Sequence, residues 1–398
     1  MTPTEPTALR GNWELRCSRC GKPCDSNRVQ RLCQQCQRPL VARFDLNPEF
    51  GKRFRHSLAG GPKSLWRYAP VLPAANAAQA LTLGEGGTPL LFAPRLASRI
   101  GLDSIWVKDE SQNPTGSFKA RGMSVAITRA VELGIRRICL PSAGNAAGAA
   151  SAYGALAGIQ VRVYMPADSG DAFFAECRAC GADVRAVNGT IADCGKVMRG
   201  ECDPGEWFDL STLKEPFRLE GKKTMGYELF EDFGGTLPDV IVYPTGGGTG
   251  LVGMWKAFDE MQAMGWIGAE RPRMLSIQAA GCAPIVRAFE SNSETADAVD
   301  NPHTAALGLR VPSAVGDILI LRALRESEGA ALAVEESEWA EGQSLLASTL
   351  GLFASPEGGA AVAGLRQGLS RGIVSTQDRV VIFNTGSGYK YPPSTWPR

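Results

Sequence analysis

Residues 105–122 read IWVKDESQNPTGSFKARG. A short β-branched and aromatic run, IWVK, ends at the polar Asp109-Glu110 and passes through a Ser/Asn/Pro/Gly turn. A stretch of helix formers follows, beginning near Lys119. Strand, turn and helix in this order make half of an α/β unit, and the same order recurs outward along the chain. RICL at 137–140, VRVYM at 161–165, DVRAV at 183–187, VIVY at 240–243, MLSI at 274–277 and VVIF at 380–383 all read as strands ending near polar, Gly or Pro residues. Helix-length segments at 118–134, 145–157 and 249–264 fall between them. This alternation predicts an α/β fold with parallel or mixed sheets, whose ligands gather at the carboxyl ends of the strands. At 398 residues a single core stops growing, so two lobes are expected.

Three turns carry candidate chemistry. Lys119 opens a helix, where the positive end of the dipole disfavours an ammonium and favours a free amine; a solvated surface lysine is the ordinary alternative. PSAGNAAG at 141–148 offers small residues for close approach to a flat ligand and an amide, Asn145, for a polar substituent. TGGGTGLVG at 245–253 is a glycine loop entering a helix, whose bare N–H groups suit a phosphate. Gly248, Gly250 and Gly253 also match the spacing of a dinucleotide fingerprint. The next strand, however, ends at Gln278-Ala279-Ala280, without the acid that holds a ribose, and this argues against a dehydrogenase.

Composition narrows the field. With 42 Lys+Arg against 41 Asp+Glu the chain has no electrostatic footprint for nucleic acid or an anionic membrane. No stretch approaches the apolar length of a membrane span and the first ten residues hold no signal core, so a cytoplasmic protein is expected. Two histidines, His56 and His303, make a Ser-His-Asp triad or a His-rich metal site improbable. Of 11 cysteines, five crowd into residues 17–36. Cys17-x2-Cys20 and Cys33-x2-Cys36 have the two-knuckle spacing of a structural zinc ribbon, which would stabilise a segment too poor in apolar residues to fold alone. Unliganded reduced thiols are the alternative, and Cys24 is a spare or a substitute ligand. Cys177-x2-Cys180 falls on an expected helix and reads as structural. The divisions expected are a zinc-ribbon-like segment at 1–45, an extended arm at 46–83 and a catalytic core of two lobes at 84–398.

From Gly84 to Lys390 the motifs GEGGTPL, NPTGSFKARG, SAGNAAGA, FRLEGKKT, PTGGGTG, SPEGGA and NTGSGYK occur in an order that resembles the fold type II pyridoxal phosphate (PLP) enzymes, most closely their threonine synthase branch. The resemblance implies that Lys119 is the Schiff-base lysine and that Asn145 meets the cofactor's ring hydroxyl. It further implies that Gly246, Gly247, Gly248, Thr249 and Gly250 cradle the phosphate, that Thr385 meets the pyridine nitrogen, and that Ser142, Arg218 and Lys222 bind substrate. A hydroxyl at the ring nitrogen does not enforce a pyridinium, which suits elimination and replacement better than amino-group exchange. A homodimer is also implied.

Some positions depart from that branch. Ala120 stands between Lys119 and Arg121 where an acid is usual, Ala143 and Ala146 replace hydroxyl residues, and Thr212-Leu213 occupy the place of an Asn-Ser pair that binds substrate phosphate. Three readings therefore stay open: a synthase acting on O-phospho-L-homoserine, an ammonia-lyase acting on threonine, serine or a β-substituted amino acid, and a non-catalytic interaction protein. Lys119 separates the first two from the third.

Overall fold

The computed structural model describes residues 9–391, so the reading of residues 1–8 as free of a signal core lies outside the described part. Strands β1 (Trp13–Cys17), β2 (Pro23–Cys24) and β3 (Leu40–Phe44) form a small antiparallel sheet in the order β2-β1-β3. α1 (Pro48–Ser57) and several 3-10 turns precede β4 (Leu90–Phe92), α2 (Pro94–Ile100), β5 (Ser104–Asp109) and α3 (Lys119–Glu132). Then come β6 (Arg137–Pro141), α4 (Asn145–Ala157), β7 (Gln160–Pro166), α5 (Asp171–Ala179), β8 (Asp183–Val187), α6 (Ile191–Glu201) and β9 (Phe208–Asp209). The chain continues through α7 (Arg218–Asp232), β10 (Val240–Pro244), α8 (Thr249–Ala263), β11 (Arg273–Ala279), α9 (Pro284–Glu290) and α10 (Asp317–Glu326). It closes with β12 (Ala330–Val334), α11 (Glu336–Leu350), α12 (Pro356–Ser370) and β13 (Arg379–Asn384).

Two further sheets organise the body. One has the order β12-β11-β10-β13-β5-β4 and is parallel except for β4. The other, β8-β7-β6-β9, is parallel throughout and is built from one contiguous insertion between α3 and α7. Consecutive apolar residues explain the parallel pairing: Val380, Val381, Ile382 and Phe383 are all buried, which requires cover on both faces. Along the larger sheet Ile241, Met274 and Val381 join one core, while Val242, Leu275 and Ile382 join the core on the opposite face. Every strand read from the sequence is present. β1–β3 of the small sheet, the short β4 and β9, and β12, an Ala-rich AALAV segment, are additions.

The stretch 46–83 is not the extended arm expected. Asn47 caps α1 by accepting from Phe50 N at 2.9 Å, and Pro48 occupies the first turn, where its missing N–H costs nothing. Phe54 is fully buried with its ring 5.1 Å from that of Trp266. Pro48 begins a helix here and does not break one. Among the described residues no helix is long and apolar enough to cross a membrane.

Candidate active site

The carboxyl ends of β6, β10 and β13 face a cavity of about 370 Å³ between the two larger sheets. The β6–α4 turn, the glycine loop, residues 307–315, Glu357 and Thr385 line it. A wider open groove of about 1340 Å³ lies near Asp239, Arg273 and Arg379, at the amino ends of β10, β11 and β13, where α/β folds seldom place chemistry.

Lys119 lines the cavity half-buried, with Nζ 4.2 Å from the centre of the Phe118 ring. Its helix is held by the next arginine. Arg121, fully buried, donates to both oxygens of Glu110 at 2.6 and 2.7 Å and to both oxygens of Glu228 at 2.6 and 2.7 Å, so one guanidinium ties the end of β5 to α7. Gly122 and Gly221 let α3 and α7 cross at backbone contact, because a Cβ on Gly221 would collide with Arg121 O. That crossing brings Arg218 and Lys222 behind Lys119. Burial, then the neighbouring Arg218 charge, lowers the Lys119 amine to about 7, with Glu357 opposing. A lysine so depressed is a free amine above neutrality. The rate at which apoprotein captures an aromatic aldehyde through Lys119 should therefore rise with pH and level off above about 7. A rate still climbing toward pH 10 in a stopped-flow absorbance series would contradict this setting.

The glycine loop enters α8 through Gly248, which has φ 72° and supplies no side-chain cap. The first N–H groups of the helix thus stay available to a ligand. A Cβ on Gly250 would strike Tyr243 Oη and one on Gly246 would strike Gly308 O, so the bare backbone is required by the protein's own packing. Lys222, placed by resemblance against substrate, instead donates to Thr249 Oγ1 of this loop at 2.7 Å. Burial, then Arg218 and Lys119, depress it well below the ordinary lysine range. Arg218 is fully buried and donates Nη1 to Leu210 O at 2.8 Å, while Nε and Nη2 have no partner. Lys119 lines the cavity, with Arg218 and Lys222 behind it and outside the lining. Glu215, which accepts from the N–H groups of Phe217 and Arg218, is itself pushed up to about 7 by burial and so neutralises Arg218 incompletely. Arg218, with two donors free, is the positive charge that a phosphorylated ligand would meet here.

Asn145 and Thr385 both line the cavity. Ser142 does too, but its hydroxyl is already engaged, accepting from Gly144 N at 3.2 Å and Ala147 N at 3.1 Å at the start of α4. Two cavity residues escaped the sequence reading. Glu357, in the first turn of α12, accepts from Gly308 N at 2.7 Å and from Tyr391 Oη at 2.7 Å. Tyr391 in turn accepts from Asn145 Nδ2 at 3.2 Å. SPEGGA was visible as a motif, yet nothing in it said that Glu357 would meet a tyrosine beyond β13.

The N-terminal cysteines converge as the spacing predicts. The sulfurs of Cys17, Cys20, Cys33 and Cys36 lie within 4.8 Å of one another. Tetrahedral thiolates on one zinc sit about 3.8 Å apart, and Cys20–Cys33 is 3.8 Å and Cys20–Cys36 3.9 Å. Both knuckles repeat one hydrogen-bond pattern: Cys17 N to Lys22 O with Gly21 N to Cys17 O, and Cys33 N to Arg38 O with Gln37 N to Cys33 O. Gly21 and Gln37 occupy matching left-handed positions at φ 70° and 54°. Cys24 makes only a 3.9 Å contact to Lys22 O and stands outside the set. Cys177 is buried on α5, in keeping with a structural role.

Comparison with known proteins follows the same line. Threonine synthase of Methanosarcina acetivorans is 35% identical over 381 residues, covering 96% of this chain and 93% of its own length. Threonine synthase of Methanocaldococcus jannaschii is 34% identical, covering 95% and 93% respectively. Among solved structures, a fungal L-serine ammonia-lyase from Rhizomucor miehei aligns with a TM-score of 0.66 at 20% identity, over 78% of this chain and 95% of that one. The processed form of threonine deaminase isoform 2 from Solanum lycopersicum aligns at 0.61 and 17% identity, over 86% and 90%. These two show a shared fold. With residues 81–386 matching its family model, the chain belongs to the pyridoxal-phosphate dependent enzymes.

Proposed function

We propose that the protein converts O-phospho-L-homoserine and water to L-threonine and phosphate. Arg218, buried beside Lys119 with two unpartnered donors, carries the reading, because a phosphorylated substrate brings a dianion that needs such a counter-charge. The near-full-length likeness to threonine synthases supports it. PLP bound here supplies the electron sink for the carbanion chemistry. The residues do the rest. Lys119 holds the cofactor and moves the protons at the substrate's α- and β-carbons, the second of which frees the electron pair that expels the γ-phosphate; its depressed amine suits that task near neutral pH. The N–H groups at the start of α8 hold the cofactor phosphate, with Thr249 of this loop held in place by Lys222. Thr385 meets the ring nitrogen, and Asn145 the ring hydroxyl. Arg218, with two free donors, holds the substrate's γ-phosphate as it departs, and water enters at the β-carbon.

Ala143, Ala146 and Leu213 offer no side-chain donor, so the substrate phosphate draws on Arg218, whose Nε and Nη2 are free. Arg218→Ala should raise KM for O-phospho-L-homoserine by about 10- to 100-fold, the worth of one charge-assisted contact. Phosphate release would measure it. Unchanged turnover would remove Arg218 from this role. Wild-type enzyme that releases no phosphate, yet makes ammonia and a keto acid from threonine or serine, would replace the synthase with an ammonia-lyase. The Cys17, Cys20, Cys33 and Cys36 site is read as a structural zinc: four thiolates close the coordination shell and leave no position for substrate. The amino-acid substrate and the homodimer belong to the same proposal.

A further inference from the structure

Asn145 is anchored at one end only. Its Nδ2 donates to Tyr391 Oη at 3.2 Å, while its Oδ1 is buried without a partner. Tyr391 Oη has a single hydrogen and gives it to Glu357 Oε2, so its lone pairs are what Asn145 meets. Glu357 has no freedom to change this direction, because its other oxygen accepts from Gly308 N at 2.7 Å. Glu357 and Tyr391 are both buried, 4% and 3% exposed, so water does not substitute for either.

We infer that Glu357 and Tyr391 are positioning residues that fix which end of the Asn145 carboxamide is its donor end in the cavity. A carboxylate at 357 accepts the tyrosine's hydrogen bond, the tyrosine presents its lone pairs as an acceptor, and the amide answers with nitrogen. One Nδ2 hydrogen is used by Tyr391 and the second remains for an acceptor oxygen in the cavity. The inference rests on the reading that Asn145 meets the cofactor's ring hydroxyl. It adds that this oxygen is held as a hydrogen-bond acceptor, in its deprotonated form, by a chain that begins on α12.

Glu357→Gln tests the direction without changing shape. Gly308 N–H keeps the glutamine oxygen on its side, so Nε2 faces Tyr391 and donates to it. In a Ser355→Ala background, which removes the other hydroxyl facing Tyr391 Oη, the tyrosine hydrogen then turns to Asn145, which must answer with Oδ1, and the donor end leaves its place. Absorbance of the holoenzyme at fixed pH reads the protonation of the ring hydroxyl. In Glu357→Gln the ratio of deprotonated to protonated bands should fall about ten-fold, toward shorter wavelength, for one lost hydrogen bond. Tyr391→Phe should move it the same way, and the double variant should move it no further than either single one. In both, kcat should fall more than KM rises. A bystander role for Glu357 would lower thermal stability and leave the bands in place, and that result overturns the inference. Asn145→Ala separates the two layers. If it shifts the bands and neither Glu357→Gln nor Tyr391→Phe does, Asn145 keeps its place and the chain behind it loses its role. If Asn145→Ala leaves the bands unmoved, the reading of Asn145 fails and the inference falls with it.

Discussion

Lys119→Ala is expected to lower turnover by about a thousand-fold or more and to abolish covalent capture of the cofactor, while the protein stays folded. The argument is one of elimination among buried lysines. Lys108 donates to Thr88 O and Asp232, Lys223 lies in a closed cluster with Glu220 and Glu260, and Lys222 donates to Thr249. Each of these amines is occupied. Among the described residues Lys119 lines the cavity with no hydrogen-bond acceptor for Nζ, and burial and Arg218 bring its amine down to about 7. Removing it takes away a half-buried amine that no acceptor holds and that stands beside the Arg218 charge, so the unfolding midpoint should hold or rise. Borohydride reduction of wild-type holoenzyme followed by peptide mapping should place the pyridoxyl mass on the peptide containing Lys119. A label on Lys222 or Lys223, or an alanine variant that turns over at the wild-type rate, would sink the assignment.

What the sequence showed and what it hid divide along the range of the interactions. NPTGSFKARG and PTGGGTG were legible because a strand end, a turn and a helix start are local events, each confined to about ten residues. The cysteine set was legible for the same reason, since each knuckle closes on itself. β12 was missed because AALAV is a short apolar run with weak β propensity, which periodicity alone cannot tell from helix. α1 was hidden inside the expected arm, although Asn47 and Pro48 together signal a helix start. Glu357, Tyr391 and the true neighbour of Lys222 were out of reach for a different reason. Glu357 and Gly308 are 49 residues apart, Asn145 and Tyr391 246, and Lys222 and Thr249 27. Only the packed fold puts those pairs within hydrogen-bond distance.

Stripping metal from the N-terminal sheet is expected to unfold that sheet and to loosen the whole molecule, more than any surface change would. β1, β2 and β3 contribute 12 strand residues, and the cluster around the sulfurs holds little apolar material beyond Leu40. Four-thiolate zinc ligation is worth about 10–16 kcal/mol in small peptides, far above what so small a core provides. The consequence spreads because the segment grips the body at separate points. Arg31 donates to Pro204 O at 3.0 Å and Trp207 O at 3.2 Å, Arg38 pairs with Asp317 at 2.8 Å, and Arg129 of α3 donates to Ser26 O at 2.8 Å. Pro204 and Trp207 follow α6, and Asp317 opens α10 just after cavity residues 311–315, so losing the grip frees chain on two sides of the cavity. Metal analysis should find about one zinc per chain. Cys33→Ser should lose it, and the unfolding temperature should drop by roughly 10 °C or more, as expected for several kcal/mol in a chain of this size. Because the ligands close the shell, turnover per folded, cofactor-loaded chain should fall far less than in Lys119→Ala. A metal-free protein with unchanged thermal stability would defeat the assignment, as would loss of the metal on replacing Cys177 or Cys180 while Cys33→Ser retains it.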